Sequence, residues 1–302
     1  MKPNSTPAIP ICLVTGFLGS GKTTFLKHTV EQHRDQKLVY LVNEFSAHDI
    51  DGAIVSKENP SVVAIPGGSI FCKCLVTEFI GQLTAIPSTF DGVEGVVIEA
   101  SGMANPKVIA DMLRETKLDD RYTLATIVSI VDPGSFMKLR VTLPNIVAQI
   151  EAADRVIINK TDLYDAATLA ETRAAVAAIK SDVEIMECSH ANAEFTLFEA
   201  STKHDALHGE YAKCKDPNYD SMAVTINREL DITELQTRIM AAEDDLYRLK
   251  GYVPTANGTE HVEYSTSGFT HTPAPTASDH TLVLIMRGSP SDAARELLEW
   301  LR

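Results

Sequence analysis

The sequence is short of positive charge and has no apolar stretch long enough to cross a bilayer. It carries 27 basic against 41 acidic residues, which gives a formal net charge of −14. This balance argues against a surface that binds nucleic acid or anionic membranes nonspecifically. The first residues also lack the apolar core of a secretory signal. We therefore expect a cytoplasmic protein with neither a nucleic-acid nor a membrane partner.

Cysteine is scarce as well. Five cysteines at uneven spacing favour free thiols or metal ligands over a framework of disulfides. Hydrophobic residues make up 44% and charged residues 23% of the 302 positions, as in ordinary globular proteins. The chain is long enough for one large core and a smaller second domain.

Short apolar runs alternate with amphipathic stretches over roughly the first two hundred residues. This alternation predicts an α/β fold with a mostly parallel, doubly wound sheet, so ligands should bind beyond the carboxyl ends of its strands. The runs predicted to be strands buried on both faces are Ile9–Val14, Lys37–Val42, Ser61–Ile65, Gly95–Glu99, Leu124–Val131, Arg155–Ile158 and Val183–Cys188.

The segment GFLGSGKTT, residues 16–24, lies between the first run and a helix predicted to begin near Lys22. It matches GxxxxGK[ST] in the strand–loop–helix setting where that pattern binds phosphate. Backbone N–H groups and the helix N-terminus attract the phosphates, Lys22 reaches the β- and γ-phosphates, and the Thr23 hydroxyl binds Mg²⁺. We predict a P-loop NTPase whose phosphate-binding residues are Gly16, Gly19, Ser20, Gly21, Lys22, Thr23 and Thr24.

The fourth run ends at Glu99, the first residue of the sequence Glu99-Ala100-Ser101-Gly102. P-loop proteins use an acidic residue at such a strand end to hold the Mg²⁺ shell, and a nearby glycine N–H to sense the γ-phosphate. We assign these roles to Glu99 and Gly102, and we expect Lys22 and Glu99 to be the catalytic residues. Met103 stands where Ras-type GTPases place a glutamine that orients water. Hydrolysis should therefore be slow unless a partner, a dimer or a bound ion completes the site.

The sequence NKTD, residues 159–162, follows another predicted strand. The Asp162 carboxylate can accept hydrogen bonds from the guanine N1–H and 2-amino groups, which adenine does not offer, so we predict binding of GTP. Asn159 would address the opposite edge of the base, and the stem of Lys160 would cover its face.

An alternative is that Thr161 or Asp162 only caps the helix predicted over Ala166–Ile179. The loop after the next strand, Cys188-Ser189-His190, is expected to close over the base.

The pattern indicates a P-loop domain over residues 1–200, a polar linker over 201–220 and a small α+β domain over 221–302. In the linker, His204 and His208 are four residues apart and Cys214 lies beyond them. These residues are either a metal cluster or, more commonly for such composition, a flexible polar connector.

The last domain should begin with an antiparallel strand over Met222–Ile226. A capping box at Asp231 then starts a helix whose apolar stripe ends at Gly251, and a final helix begins at Ser289 with Pro290 in its first position. The stripe contains Leu235, Ile239, Leu246 and Leu249, further strands lie around His261–Tyr264 and Thr281–Met286, and the final helix carries Leu297, Leu298, Trp300 and Leu301. We expect this domain to dock a client or a second protomer.

Together these motifs resemble the CobW-type branch of the metallochaperone P-loop GTPases, which is related to the maturation factors of urease and hydrogenase. The resemblance covers nearly the whole chain. It rests on GFLGSGKTT (16–24), NEF with ID (43–45 and 50–51), PGG (66–68), EASGMANP (99–106), AQIEAADRVIINKTDL (148–163) and, for the family's second domain, LKGYV (249–253).

The resemblance implies that Glu44 and Asp51 belong to a first switch near Mg²⁺ and the γ-phosphate. The glycine and the acidic residue that usually come next in this switch are Ser46 and Ala47 here, so one expected carboxylate ligand is missing.

The CxCC motif of the family is altered in this chain. Ser69 and Phe71 take the places of its first two cysteines, Cys72 takes the third, and Cys74 is added. Because thiolates favour Zn²⁺ and other borderline or soft metals, the resemblance implies a metal site at Cys72 and Cys74. Spacing alone leaves open a pair of buried or redox-inert thiols.

Two functions remain open on this resemblance. In the first, a slow GTPase that uses Mg²⁺ gates the capture and delivery of Zn²⁺ or Co²⁺ to a client protein or to cobalamin metabolism. In the second, the GTPase remodels a cofactor-bearing client, such as a corrinoid enzyme, without metal cargo. The expected partner is a client metalloprotein or a cofactor-dependent enzyme, and a homodimer is the other association to test.

Overall fold

The computed structural model describes residues 7–43, 62–65, 76–199, 203–209, 219–274 and 280–302. It divides the chain into two compact units, Met1–Cys214 and Lys215–Arg302. The predicted linker, 201–220, is described only at 203–209 and 219–220, and its boundaries stay predictions.

Seven strands of the first unit form one sheet. They are β1 (Ile9–Thr15), β2 (Leu38–Asn43), β3 (Val62–Ile65), β4 (Gly95–Glu99), β5 (Tyr122–Val131), β6 (Arg155–Ile158) and β7 (Glu184–Glu187). Their order is β3-β2-β4-β1-β5-β6-β7, and every neighbouring pair is parallel. The predicted α/β fold with a parallel sheet is confirmed.

Among the described residues, helices lie between successive strands of this sheet, as parallel pairing requires. They are α1 (Lys22–Gln32), α2 (Val76–Thr89), α3 (Val108–Glu115), α4 (Pro133–Leu139), α5 (Pro144–Ala152) and α6 (Ala166–Ile179). Four successive residues of the central strand β1, Ile11–Val14, are 0% exposed. Because successive side chains of a strand point to opposite faces, both faces of β1 are covered. On one face, Cys12 and Val14 pack with Phe25 and Leu26 of α1.

One local prediction for this unit was wrong, and one alternative is excluded. The strand β7 is not buried on both faces, since Glu184 and Glu187 are exposed and β7 lies at the edge of the sheet. The helix α6 is capped by Asp165, whose side chain accepts a hydrogen bond from the Thr168 N–H. Thr161 and Asp162, proposed as alternative caps, lie instead in a short 3₁₀ turn.

The second unit is an antiparallel sheet with two helices. Its elements are β8 (Tyr219–Thr225), α7 (Ile232–Ala241), β9 (Leu246–Thr255), β10 (Gly258–Ser265), β11 (Gly268–Pro273), β12 (Thr281–Arg287) and α8 (Asp292–Leu301). The sheet order is β11-β10-β9-β12-β8. Asp231 caps α7 by accepting from the Glu234 N–H. The predicted α+β class and the start of α7 are confirmed.

The helix predicted to reach Gly251 ends at Ala241, and Leu246 and Leu249 belong to the strand β9. In its pairing with β12, Leu246 lies opposite Met286, whereas Arg248 lies opposite Ile285. This bulge adds one residue to β9 and brings Leu246 and Leu249 to the same buried cluster. A spacing of three therefore imitated a helical stripe.

The last helix also begins later than predicted. Its cap is Ser291, which accepts from the Ala294 N–H, so Pro290 precedes the cap and is not the first helical residue. The strand β11 was not predicted, because most of its residues are exposed and give little apolar alternation.

Residues 203–209 of the predicted linker belong to the first unit and make defined contacts within it. The His204 ring lies with Nδ1 2.8 Å from Leu124 O and Nε2 2.7 Å from Asp154 Oδ2, and the residue is 4% exposed. His208 instead pairs with Asp111. The two histidines therefore do not share one site, and residues 203–209 are not the flexible connector expected from composition. Cys214 lies outside the described residues.

Candidate functional site

The strands β4, β1, β5 and β6 are adjacent and parallel, so the loops that follow them begin at the same edge of the sheet. The paired positions place Val14 beside Glu99, and Val131 beside Ile158. The phosphate loop, the Glu99 segment and the NKTD segment consequently lie together, although they are far apart in sequence. A ligand site at the carboxyl edge is the expected outcome for such a sheet.

The phosphate loop owes its conformation to glycine. Gly16 and Gly21 have φ values of 139° and 110°. A Cβ atom at Gly16 would lie 2.2 Å from Ile130 O, and one at Gly21 would lie 2.3 Å from Asn159 Nδ2. Any side chain at either position would therefore displace a neighbouring segment of the site.

Two features of this loop fit a phosphate ligand. The Lys22 ammonium is buried and donates to Gly16 O at 3.0 Å and to Phe17 O at 3.1 Å, so it lies within the loop. The Ser20 hydroxyl oxygen is buried, and no hydrogen-bond partner for it occurs in the part of the chain that the structure describes. The loop thus offers a hydroxyl donor, a cation and a helix N-terminus to one anion.

Glu99 ends β4 and is 5% exposed, next to the phosphate loop across the pairing with β1. The segment after it approaches the loop closely, since a Cβ atom at Gly102 would lie 2.7 Å from Leu18 N. Met103 is 2% exposed, so its side chain is packed away from solvent. Its burial agrees with the expectation that this residue does not orient a water molecule.

Asn159 joins two loops at the other side of the site. Its Nδ2 donates to Ser20 O at 2.8 Å, and its Oδ1 accepts from the Ala191 N–H at 2.7 Å. One N–H of the amide then remains to address a base. The role of Asn159 at the base stays a prediction. The observed contacts give Asn159 a second, structural role, because they join the phosphate loop to the loop that contains Ala191.

Lys160 is held by Asp132, a residue that the sequence reasoning missed. The Lys160 ammonium lies 3.1 Å from Asp132 Oδ2, while the Tyr164 hydroxyl donates to Asp132 Oδ1 at 2.6 Å. The Asp132 side chain is 0% exposed. Its signal in the sequence was its place directly after β5, at the same edge as Glu99 and Asn159. Asp162 is exposed beside this group, where it is accessible to a ligand.

Two further residues missed in the sequence lie on α5. Asn145 and Gln149 donate to carbonyl groups of the segment after Glu99. An amide pair spaced by one helical turn, in the helix before NKTD, was the available signal.

The thiols of the described residues do not form a metal site. Burial raises the pKa of Cys12 to about 12 and that of Cys188 to about 11, so both thiols stay protonated at neutral pH. No group of three or more His, Cys, Asp or Glu residues in the described ranges could hold a metal ion. The predicted ligands Cys72 and Cys74, and the switch residues Glu44 and Asp51, lie outside those ranges.

Within the described ranges, no helix combines the length and the apolar character that a membrane span requires.

Comparisons with known proteins agree with this geometry. The family described as CobW/HypB/UreG, nucleotide-binding domain, matches residues 10–187. The family described as Cobalamin synthesis protein cobW C-terminal domain matches residues 219–302.

Individual relatives share about a quarter of their residues with this chain. The zinc chaperone CobW of Pseudomonas aeruginosa is 27% identical over 232 residues, which cover 66% of this chain and 62% of that protein. This chain thus spans less than two thirds of that relative. The zinc chaperone YjiA of Escherichia coli is 24% identical over 259 residues, with 80% and 81% covered. A crystal structure of a Zn(II)-bound triple mutant of YjiA GTPase matches with a TM-score of 0.50 at 20% identity, covering 98% of this chain and 100% of that one. This last likeness is one of fold.

Proposed function

Since this chain belongs to the CobW/HypB/UreG family, we propose that it binds GTP with Mg²⁺, hydrolyses GTP slowly, and uses the nucleotide to gate the capture and delivery of Zn²⁺ or Co²⁺ to a client protein. Proteins named zinc chaperones among its relatives support the metal cargo. A location in the cytoplasm and a link to cobalamin metabolism are further parts of this proposal.

The observation that carries the nucleotide part is the meeting of three segments at one sheet edge. The buried Lys22, the strand end at Glu99 and the loop at Asn159 follow or end three parallel strands of one sheet, β1, β4 and β6. Phosphoryl transfer needs positioning and charge stabilisation more than covalent chemistry. Lys22 would bind the β- and γ-phosphates after exchanging the carbonyls of Gly16 and Phe17 for phosphate oxygens.

Magnesium fits the same edge. Thr23 is the second residue of α1 and supplies a hydroxyl directly after Lys22. Glu99 supplies a buried carboxylate, and oxygen ligands of these kinds are those that Mg²⁺ prefers. When bound there, Mg²⁺ would neutralise charge that develops on the phosphates.

Guanine specificity would come from Asp162, which is exposed next to the Asp132–Lys160 pair. Asp132 fixes the Lys160 ammonium, so the stem of Lys160 is held beside the place for a base. The loop that contains Ala191 is tied to Asn159 and would close the opposite side.

The metal part rests on position in the sequence and on the relatives. The strand β3 ends at Ile65, beside Asn43 of β2, at the same edge as the phosphate loop. Cys72 and Cys74 follow shortly after β3 in the sequence. We therefore expect GTP and a thiophilic metal to bind cooperatively, with a coupling of about 5- to 150-fold in affinity.

Titration of Zn²⁺ and Co²⁺ into the protein tests this proposal. The protein is first loaded with a non-hydrolysable GTP analogue or with GDP, and the double variant Cys72→Ser, Cys74→Ser is compared with the unmutated chain. Cys214→Ser controls for the loss of a thiol elsewhere. The proposal predicts tighter metal binding with the GTP analogue, lost only in the double variant. Equal affinity with both nucleotides, or full affinity in the double variant, would refute the metal part and favour the remodelling of a cofactor-bearing client.

A further inference from the structure

The helix α5 presents two amide side chains one helical turn apart to the segment after β4. Asn145 Nδ2 donates to Met103 O at 2.8 Å. Gln149 Nε2 donates to Gly102 O at 3.1 Å and to Ala104 O at 3.3 Å. Three successive carbonyl groups, at residues 102–104, are therefore held by donors from a single helix. We name this arrangement the amide clamp.

The clamp is located where a loss of hydrogen bonds is costly. Gln149 is 1% exposed, so water cannot readily replace its amide. Leaving a buried carbonyl without a donor costs more free energy than an average hydrogen bond contributes to stability.

The segment that the clamp holds has little room to move on its other side. Leu18 of the phosphate loop lies against Gly102, where a Cβ atom would be 2.7 Å from Leu18 Cδ2 and from Leu18 N. Residues 102–104 thus lie between the phosphate loop and α5. Phe17 of the phosphate loop and Gln149 also line a common small cleft, so α5 lies near the phosphate loop as well as residues 102–104.

We propose that Asn145 and Gln149 are positioning residues that hold residues 102–104 in the conformation in which the Gly102 N–H meets the γ-phosphate. This inference rests on the proposed GTP function. The buried Met103 side chain offers no polar group of its own, so the orientation of this segment is imposed from behind by the helix. Because GDP has no γ-phosphate, the clamp should affect binding of GTP and its hydrolysis while leaving the affinity for GDP unchanged.

The test uses substitutions that keep size and reverse hydrogen-bonding character. Asn145→Asp and Gln149→Glu each replace an amide donor by an acceptor that faces a carbonyl. The matched control is Glu151→Gln, which lies on the same helix and removes the surface pair with Lys107 without touching residues 102–104. Calorimetry with Mg²⁺ measures the affinity for GDP and for a non-hydrolysable GTP analogue. Single-turnover kinetics measures hydrolysis, and thermal unfolding with GDP checks the fold.

The expected result is a loss of about 5-fold or more in affinity for the GTP analogue in each clamp variant, with GDP affinity changed by less than about 2-fold and the control unchanged. If the Gln149→Glu variant fails to fold, the Asn145→Asp variant alone tests the inference, because Asn145 is only half-buried. An unchanged ratio of the two affinities, or an equal loss for both nucleotides, would overturn the inference. An unmutated chain that binds no guanine nucleotide would instead refute the proposed function, and the inference with it.

Discussion

Replacing Asn159 by alanine should lower the stability of the nucleotide-free protein and also weaken nucleotide binding. The side chain is 2% exposed and makes two short hydrogen bonds, to Ser20 O at 2.8 Å and from the Ala191 N–H at 2.7 Å. Removal leaves both backbone groups without these partners. At about 1–3 kcal/mol for each buried group left unsatisfied, the free energy of unfolding should fall by about 2–6 kcal/mol. For a unit of this size, that corresponds to a drop of roughly 4–24 °C in Tm.

The variant Asn159→Asp separates the two hydrogen bonds. The carboxylate can still accept from the Ala191 N–H, but it cannot donate to Ser20 O, so the expected loss is about 1–3 kcal/mol. Thermal unfolding of the nucleotide-free chain measures both variants. The control is Asn192→Ala, because Asn192 is an exposed asparagine directly after Ala191. If Asn159→Ala lowers GTP affinity yet leaves Tm unchanged without nucleotide, then Asn159 acts only on the base and this reasoning is wrong.

Three further predictions concern the site and its support. Asp162→Ala should weaken GTP by about 2–4 kcal/mol and leave ATP no worse, and calorimetry that finds equal GTP and ATP binding to the unmutated chain would contradict the guanine assignment. The isolated protein should hydrolyse GTP at about 10⁻⁴ to 10⁻² per second, and Glu99→Ala should abolish phosphate release while GTP stays bound; several turnovers per second without a partner or metal would mean that the catalytic residues are misassigned. Burial raises the pKa of Asp154, but hydrogen bonds from His204 and the Ile127 N–H outweigh it and lower that pKa below 3.8, so its stabilising contribution is present above pH 3.8 and is lost as the pH falls through the lowered value. Acid titration of stability should be shallower in Asp154→Asn than in the unmutated chain, with the exposed Asp119→Asn as control, and identical titrations would exclude this contribution.

The sequence predicted the parallel sheet well because fully buried strands give continuous apolar runs. The helix Ala166–Ile179 has the predicted bounds, and the motifs at Lys22, Glu99 and Asn159 all lie at the predicted edge. Local pattern and fold agree in these segments, as they do in a consistent sequence.

The wrong predictions concern segments whose structure depends on contacts with residues distant in sequence. The bulge in β9 produced the spacing of Leu246 and Leu249 that imitated a helix, and no pattern within one strand can reveal such a bulge. Asp132 and Gln149 were not predicted as site residues for a related reason. Each acts through contacts with residues distant in sequence, Lys160 for the first and Gly102 for the second.

His204 sets a lower limit on the length of a nucleotide-binding fragment. The His204 ring lies within hydrogen-bond distance of two acceptors, Leu124 O and the Asp154 carboxylate. A fragment that stops at residue 187, where the family match ends, or at residue 200, would leave Leu124 O and Asp154 without this partner at the amino edge of the sheet. A buried acceptor that loses its partner costs more free energy than an average hydrogen bond contributes. The smallest stable fragment should therefore extend through residue 209, and expression trials can be designed from that end point.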